Sequence, residues 1–353
     1  IELNYNKYSN LYFSKRGDGL KKIKLIVPEK SSLNLLSNIP SSTKKWAPAY
    51  LVNKKKLQEV ELRYFGDNPF NFMFHQKNIR IKTRKKESET LKRYYEYKVT
   101  QGYVLNDFVA INIAKKLNIL APEVNLVELF VNGTSTGISI ERERINENFL
   151  RRNKIMPVNI YKGENYNNEK KIGLNPDLFN NPKLWSKISY FNNMEEKDFS
   201  DLSNTLKAIY PSSIDFNKNY FFNEDLIDYW SRLSVLQILN QTPIANSYHN
   251  SRLALDPWSG MKYLIPHDMQ YNENIIDKNN LILHETNNQF FKNLNLLSKF
   301  LDKKYTNLKY YLNENDVLQK QINELEKIKK KFLVSDRYNL GKFQKKYYTS
   351  EYR

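Results

Sequence analysis

The 353-residue chain contains no cysteine, which excludes disulfide staples, thiolate metal sites and a cysteine nucleophile and leaves stability to the hydrophobic core. No apolar run approaches the roughly 18 residues that a membrane span needs, and no signal peptide opens the sequence. It starts at Ile1, as a fragment or processed form would. Several catalytic signatures are missing: there is no GxxxxGK(S/T) loop, no GxGxxG after a strand, no HExxH pair and no GxSxG elbow. P-loop, Rossmann, zincin and α/β-hydrolase chemistries therefore have no footing. No repeat of fixed period runs along the chain, which argues against a solenoid or propeller. Acidic side chains are also in short supply, with 38 Asp+Glu against 56 Lys+Arg and a net charge of +18.

What is present suits a folded protein. Hydrophobic residues make up 40% and aromatics 14%, enough for a substantial core despite a mean hydropathy of -0.69. The positive surplus would attract polyanions. Much of it accompanies abundant Asn, Ile and Tyr, the residues AT-rich codons favour, so the charge reads as spread over a solvated surface. Nucleic acid is not expected as a partner on charge alone.

The first 50 residues read as a strand, LKKIKLIVP, followed by a Ser/Asn/Pro-rich loop. EVELRYFGDNPF and NIRIKTR alternate apolar and polar residues, predicting two half-buried strands with Lys77 at the mouth of the second. Beyond the charged segment Arg84 to Lys98, Val104, Phe108, Ile111 and Leu117 keep helical spacing, and the helix stops before Ala121-Pro122. VNLVELFV and GISIERE flank Asn132-Gly133, a hairpin signal with a loop expected through Thr136. A short helix at INENFLRR, a strand at PVNIYKG and a long polar stretch from Glu164 to about Asp215 follow. Asn223 is placed to cap a helix carrying Leu226, Trp230, Leu233 and Leu236. A turn at Asp256 to Gly260 then joins two strands bearing His249, Asn250 and Asp268. Phe290, Leu294, Leu297 and Leu301 fit one amphipathic helix; Leu318, Ile322, Leu325 and Phe332 fit another, capped by Asn315 or Asp316.

The chemistry lies in a dispersed set: Lys77 on a strand, Glu143 at the end of a hairpin strand, and Asn250 and Asp268 flanking a second hairpin. Phosphoryl transfer uses such parts, a Lys for phosphate, a Glu to position it, and an Asn with an Asp for magnesium.

The segment ELRYFGDNPFNFMFHQKNIRIKTRK resembles the CotH (spore coat protein H) kinase-like pattern, in which an Arg-x-x-Gly strand precedes a Lys and an extended strand; Lys77 falls on that Lys. VLNDFVAINIAKKLNILAPEVNLVELFVNGTSTGISIERERINENFL resembles the family's helix, its Asn-Gly hairpin and the strand whose Glu aligns with Glu143, with Glu141 earlier on the same face. IYKG is similar to the family's Tyr-Lys strand and makes Lys162 a lesser nucleotide contact. YHNSRLALDPWSGMKYLIPHD resembles the family's His-Asn to Ile-Pro-Trp-Asp block. On that match Asn250 and Asp268 are the metal ligands. The resemblance covers about residues 55 to 275.

The resemblance implies an α+β, atypical protein-kinase-like bilobal fold, with an antiparallel β-rich N-terminal lobe and a helix-rich C-terminal lobe. Within one CotH-like domain, the expected parts are an extension at 1–50, an N-lobe-like region at 51–163, a polar insertion at 164–215, and a helix-rich C-lobe with the metal-site hairpin at 216–353. It implies ATP- and Mg2+-dependent phosphorylation of Ser or Thr hydroxyls on a protein phosphoacceptor, and a soluble protein of the bacterial cytoplasm or cell surface. Two departures stand out. Where the family carries a carboxylate before the His-Asn pair, this chain reads NQTPIANSYHN, offering Asn246, Thr242 or Ser247, and an amide cannot accept the substrate proton. His249 or His267 would have to supply a base. The family's Trp-Asp-x-Asp is here His267-Asp268-Met269-Gln270, with fewer carboxylates to hold a divalent ion. A non-catalytic pseudokinase or scaffold in a surface or polysaccharide assembly is the rival reading. A third is a polyanion-binding face built from Lys54 to Lys56, Arg80 to Lys86, Tyr94, Tyr95 and Tyr97.

Overall fold

A computed structural model of the chain describes residues 20–37, 39, 45–53, 56–66, 71, 76–83, 94–99, 104–164, 177–188, 198–209, 223–240, 251–269, 289–313 and 323. The chain divides into two compact units. One comprises Ile1–Phe108, Glu123–Arg144 and Gln321–Arg353; the other comprises Val109–Pro122 and Ile145–Lys320. The architecture is mixed α/β, with sheet dominating the N-terminal part and helices the C-terminal part.

The first unit is built on a closed seven-stranded barrel in the order β1-β2-β3-β4-β5-β7-β6. Its strands are β1 (Lys21–Ile26), β2 (Ala47–Asn53), β3 (Lys56–Tyr64), β4 (Ile79–Thr83), β5 (Tyr94–Val99), β6 (Val124–Val131) and β7 (Thr134–Glu143). Helix α1 (Glu29–Ser37) follows β1, and α2 (Val104–Lys116) connects β5 to β6. The antiparallel pairing expected of this region holds at every seam of the barrel but one, where β1 runs parallel to β6. A parallel pair needs a long crossover, and the intervening β2 to β5 and both helices supply it. Alternate residues turn inward to form the core, among them Ile23, Leu25, Ala49, Leu62, Ile81, Tyr97, Val127 and Leu129.

Two local expectations change. The β6–β7 loop ends at Thr134, where β7 begins, because Asn132 (φ 51) and Gly133 (φ 83) both take left-handed backbone as a two-residue type I′ turn demands. The Asn132 side chain also accepts from Val27 N at 2.7 Å and donates to Val27 O at 2.9 Å, tying the turn to the end of β1. The stretch after β1, expected as loop, forms α1, which buries Ser31 and Leu35.

The second unit holds a four-stranded antiparallel sheet, ordered β11-β10-β8-β9. Its strands are β8 (Asn159–Gly163), β9 (Trp185–Lys187), β10 (Ser251–Leu255) and β11 (Lys262–Leu264). Helices α3 (Glu147–Arg152), α4 (Ser200–Ile209), α5 (Glu224–Asn240), α6 (Gln289–Leu294) and α7 (Ser298–Asn313) surround it in sequence. Asn146 caps α3 by accepting from Asn148 N and Phe149 N, and Asn223 caps α5 by accepting from Asp225 N at 2.9 Å. Helix α5 is buried nearly all round. Its Trp230 meets Phe290 edge to face with centroids 4.5 Å apart, and Phe290 stacks on Phe179 at 6.2 Å.

The single helix expected through Phe290 and Leu301 is two. Leu296 N and Leu297 N tighten onto carbonyls three residues back, those of Asn293 and Leu294, and the helix restarts at Ser298. The buried Lys304 ammonium donates to Asn295 Oδ1 at 3.2 Å across that break. The second C-terminal helix expected from Leu318 to Phe332 lies outside the described residues except at Asn323, which is helical.

Candidate functional site

Paired residues on neighbouring strands point to the same side of a sheet, so register assigns each charged side chain of β7 to a face. Glu141 shares a rung with Ile79, Tyr97 and Asn125, and Ile79 and Tyr97 belong to the barrel core. Its carboxylate accepts from Tyr97 Oη at 3.1 Å, Lys21 Nζ at 3.1 Å and Asn125 Nδ2 at 3.4 Å. Burial and the Glu141 charge both push the Tyr97 hydroxyl well above its usual range. Glu143, two residues on, shares this inner face. It is buried and accepts from Glu123 N at 3.2 Å. Lys77 precedes β4 and holds its ammonium 5.7 Å from the Tyr64 ring centre. It lies two residues before Ile79, whereas Glu143 is one rung beyond Glu141 in the other direction.

The opposite face of the same strands carries a charge lattice. Arg63, Arg80, Glu96 and Arg142 form one rung across β3, β4, β5 and β7. The Arg142 guanidinium donates to Glu96 Oε2 from Nη2 at 2.6 Å and from Nε at 3.2 Å, and to Asp107 Oδ2 from Nη1 at 3.0 Å. Arg80 Nε donates to the other Glu96 oxygen at 2.7 Å. Lys98, on the same face two residues along β5, brings its ammonium to 3.8 Å from Asp107 Oδ2. Arg142 and Glu96 are only 2% and 3% exposed, so the charges persist by satisfying one another. Asp107 sits in the first turn of α2, where a helix N-terminus favours an anion.

Sequence reasoning did not single out Glu96, Lys98, Asp107 or Arg142. The signal was there as alternation: Tyr95 and Tyr97 interleave with Glu96 and Lys98, and Glu141 and Glu143 with Arg142 and Arg144. What pattern alone does not reveal is that both faces are covered. Tyr97 is 1% exposed inside the barrel, so it offers no stacking surface for a base, which removes one element of the polyanion-face reading.

In the second unit Lys162 lies on β8, half-buried, with its ammonium 3.2 Å from Glu164 Oε1. Arg252, its partner on β10, approaches the same oxygen at 3.4 Å. The Asp256–Gly260 turn is held by Asp256, which accepts from Trp258 N at 3.0 Å and Ser259 Oγ at 2.6 Å. Asn246, His249 and Asn250 lie outside the described residues. Their chain neighbour Ser251 opens β10, and β10 continues beside β11 until Ile265 N donates to Arg252 O at 2.8 Å. Ser251 is thereby brought beside the segment that carries His267 and Asp268. Asp268 takes a left-handed φ of 53 at a half-buried bend; such a conformation in a non-glycine residue costs energy and concentrates at functional positions.

Magnesium binds to hard oxygen ligands, commonly one or two protein groups with phosphate and water completing the shell. The Asp268 carboxylate and an Asn250 amide oxygen fit that donor set. No group of three or more His, Cys, Asp or Glu gathers among the described residues. The buried Ser251 hydroxyl finds no hydrogen-bond partner among the described residues, an unsatisfied polar group at the start of β10.

No helix among the described residues is long and apolar enough to cross a membrane. No curated protein matches the chain. A family model described as CotH kinase protein matches residues 62–353, a span that takes in the barrel strands from β3 onward, the charge lattice and the Asp268 hairpin. The chain belongs to the CotH kinase protein family.

Proposed function

We propose that the chain is an atypical kinase-like phosphotransferase, of two-lobed kinase-like architecture, that uses ATP and Mg2+ to phosphorylate Ser or Thr hydroxyls of a protein. The observation that carries this reading is the buried ion pair between Lys98 on β5 and Asp107 at the start of the following helix α2. Protein kinases require a strand lysine held by an acid on the next helix, because the lysine must be pre-positioned to meet phosphate oxygens. Lys98 and Asp107 suit those two parts by burial and by chain order. Lys77 and Glu143, to which the family pattern points, stand near Tyr64 and on the inner barrel face respectively; Lys77 and Lys162 serve as further phosphate contacts. Asn250 and Asp268 would hold the metal, which when bound neutralises charge developing on the transferred phosphoryl group.

Catalysis of this kind rests mostly on positioning and electrostatics, and a general base adds about 100-fold to 10,000-fold. Asn246 cannot accept a proton and His249 can, so His249 is the candidate base. The absent carboxylate in NQTPIANSYHN favours a second reading: a pseudokinase that binds nucleotide without transfer and acts as a scaffold in a surface assembly. Incubation with γ-labelled ATP, Mg2+ and a degenerate Ser/Thr peptide library separates the two. Label in peptides that disappears in Asp268→Ala supports transfer; unlabelled peptides with ATP bound support the scaffold.

A further inference from the structure

The rung Arg63–Arg80–Glu96–Arg142 places three guanidiniums on one face with a single carboxylate among them. Adding Lys98 and Asp107, and the Lys82–Glu61 ion pair on the next rung of the same face, gives five cations to three carboxylates. Guanidiniums stay charged at any ordinary pH, so this face carries a built-in positive surplus.

Arg63 stands at the β3 end of the rung. Burial, then the neighbouring charges of Arg80 and Arg144, pull its pKa down to about 10. Its guanidinium lies 4.7 Å from the Trp46 ring centre, with the Lys82 ammonium 5.3 Å from the same ring. Arg80 stacks on Phe65 at 4.4 Å. A stacked guanidinium is held by its flat face and keeps its donors in plane, the geometry that meets phosphate oxygens in pairs. Arg80 is further fixed by Glu96, which Arg142 holds from the other side. A rung so lined offers charge and aimed donors.

We propose that Arg63 and Arg80 form a phosphate-binding rung that takes the phosphates of a polyphosphate nucleotide, with Arg142 and Glu96 as the residues that position Arg80. The assignment of a nucleotide as the natural ligand rests on the phosphotransferase reading; the affinity for phosphate chains does not.

Calorimetric titration of the full chain with inorganic tripolyphosphate, ATP and adenosine tests it, using wild type, Arg63→Gln and Arg63→Lys, with melting curves beside them. The expected result is that Arg63→Gln weakens tripolyphosphate and ATP by about tenfold or more, that Arg63→Lys recovers part of the loss, and that melting temperature does not fall. Arg63→Gln that lowers the melting temperature with unchanged affinity assigns Arg63 a structural role and overturns the rung. ATP binding that Arg63→Gln leaves intact also overturns the rung, while sparing the phosphotransferase reading. Tripolyphosphate binding lost in Arg63→Gln, in a chain that shows no preference for ATP, upholds the rung and sinks that reading. A chain that binds neither probe overturns both.

Discussion

The two units solve the same problem of burial with different materials. The second fills its interior with rings and aliphatic chains around α5, where Trp230, Leu233 and Leu236 are fully buried. The first has an apolar barrel interior too, but on the outside of its strands it buries Glu96, Arg142, Asp107 and Lys98 against one another. An apolar core tolerates no loss of volume yet asks little of geometry beyond shape. A buried ion lattice gains little net stability over an apolar substitute and is costly when half-broken. Its presence is therefore better explained by what charge can do than by what it holds together.

Substitution pairs sharpen that contrast. Arg142→Ala should destabilise the chain by about 3–5 kcal/mol, because it leaves Glu96 and Asp107 buried without their main partner. Trp230→Ala should cost a comparable ~3–5 kcal/mol through the cavity it opens among Phe290 and Phe291. The two differ in how they are rescued. Replacing Arg142 and Lys98 by Met together with Glu96→Leu and Asp107→Asn removes both members of each buried pair and should restore most of the stability measured in urea while abolishing phosphate binding. No polar substitution beside Trp230→Ala should do the same. A lattice quadruple mutant that stays as unstable as Arg142→Ala would break the comparison.

Alkaline unfolding comes next in size. Burial raises the hydroxyls of Tyr64, Tyr97, Tyr161, Tyr229 and Tyr263. A raised folded pKa means that the native state keeps protons the unfolded chain has begun to lose. This stability is whole below the ordinary tyrosine value of 10.0 and lost as pH climbs toward the value of about 12 for Tyr64. Arg63, lowered from 12.5 to about 10, and Lys262, lowered by burial, work the other way over the same range, two groups against five. The urea midpoint should therefore fall steadily from pH 9.5 upward on the order of these shifts, and Tyr97→Phe should flatten the fall.

Smaller still is Gly133→Ala. A Cβ there meets nothing within 4 Å, so the expected loss of about 1 kcal/mol is pure backbone strain from φ 83. A loss well above that would mean the turn does more than reverse the chain.

Features whose physics is local were legible in the sequence. Asn132-Gly133 announced a hairpin because few other pairs tolerate left-handed backbone, though its turn is tighter than the loop expected through Thr136, and Asn223 announced α5 because its side chain satisfies the first free N–H groups. Helix α1 was not legible, since EKSSLNLLS buries little and looks like its Ser/Asn-rich surroundings. Strand β5 hid inside the charged segment from Arg84 because its Glu96 and Lys98 read as solvated. The break between α6 and α7 depends on the burial of Lys304 against Asn295, which spacing cannot foresee. The charge lattice was least legible of all. It exists only when four strands, far apart in sequence, come into one register, and no run of residues carries its signature. The dispersed family motifs fared better, because their order along the chain, which led to the Asp268 hairpin, survives without geometry.

A calorimetric titration of ATP with and without Mg2+, on wild type, Lys98→Ala and Asp268→Ala, tests the phosphotransferase reading most directly. Magnesium-dependent binding in the wild type, with Lys98→Ala weakening ATP in either buffer and Asp268→Ala removing only the magnesium dependence, is the predicted outcome. Absence of binding at millimolar ATP, or binding that neither substitution touches, would contradict it.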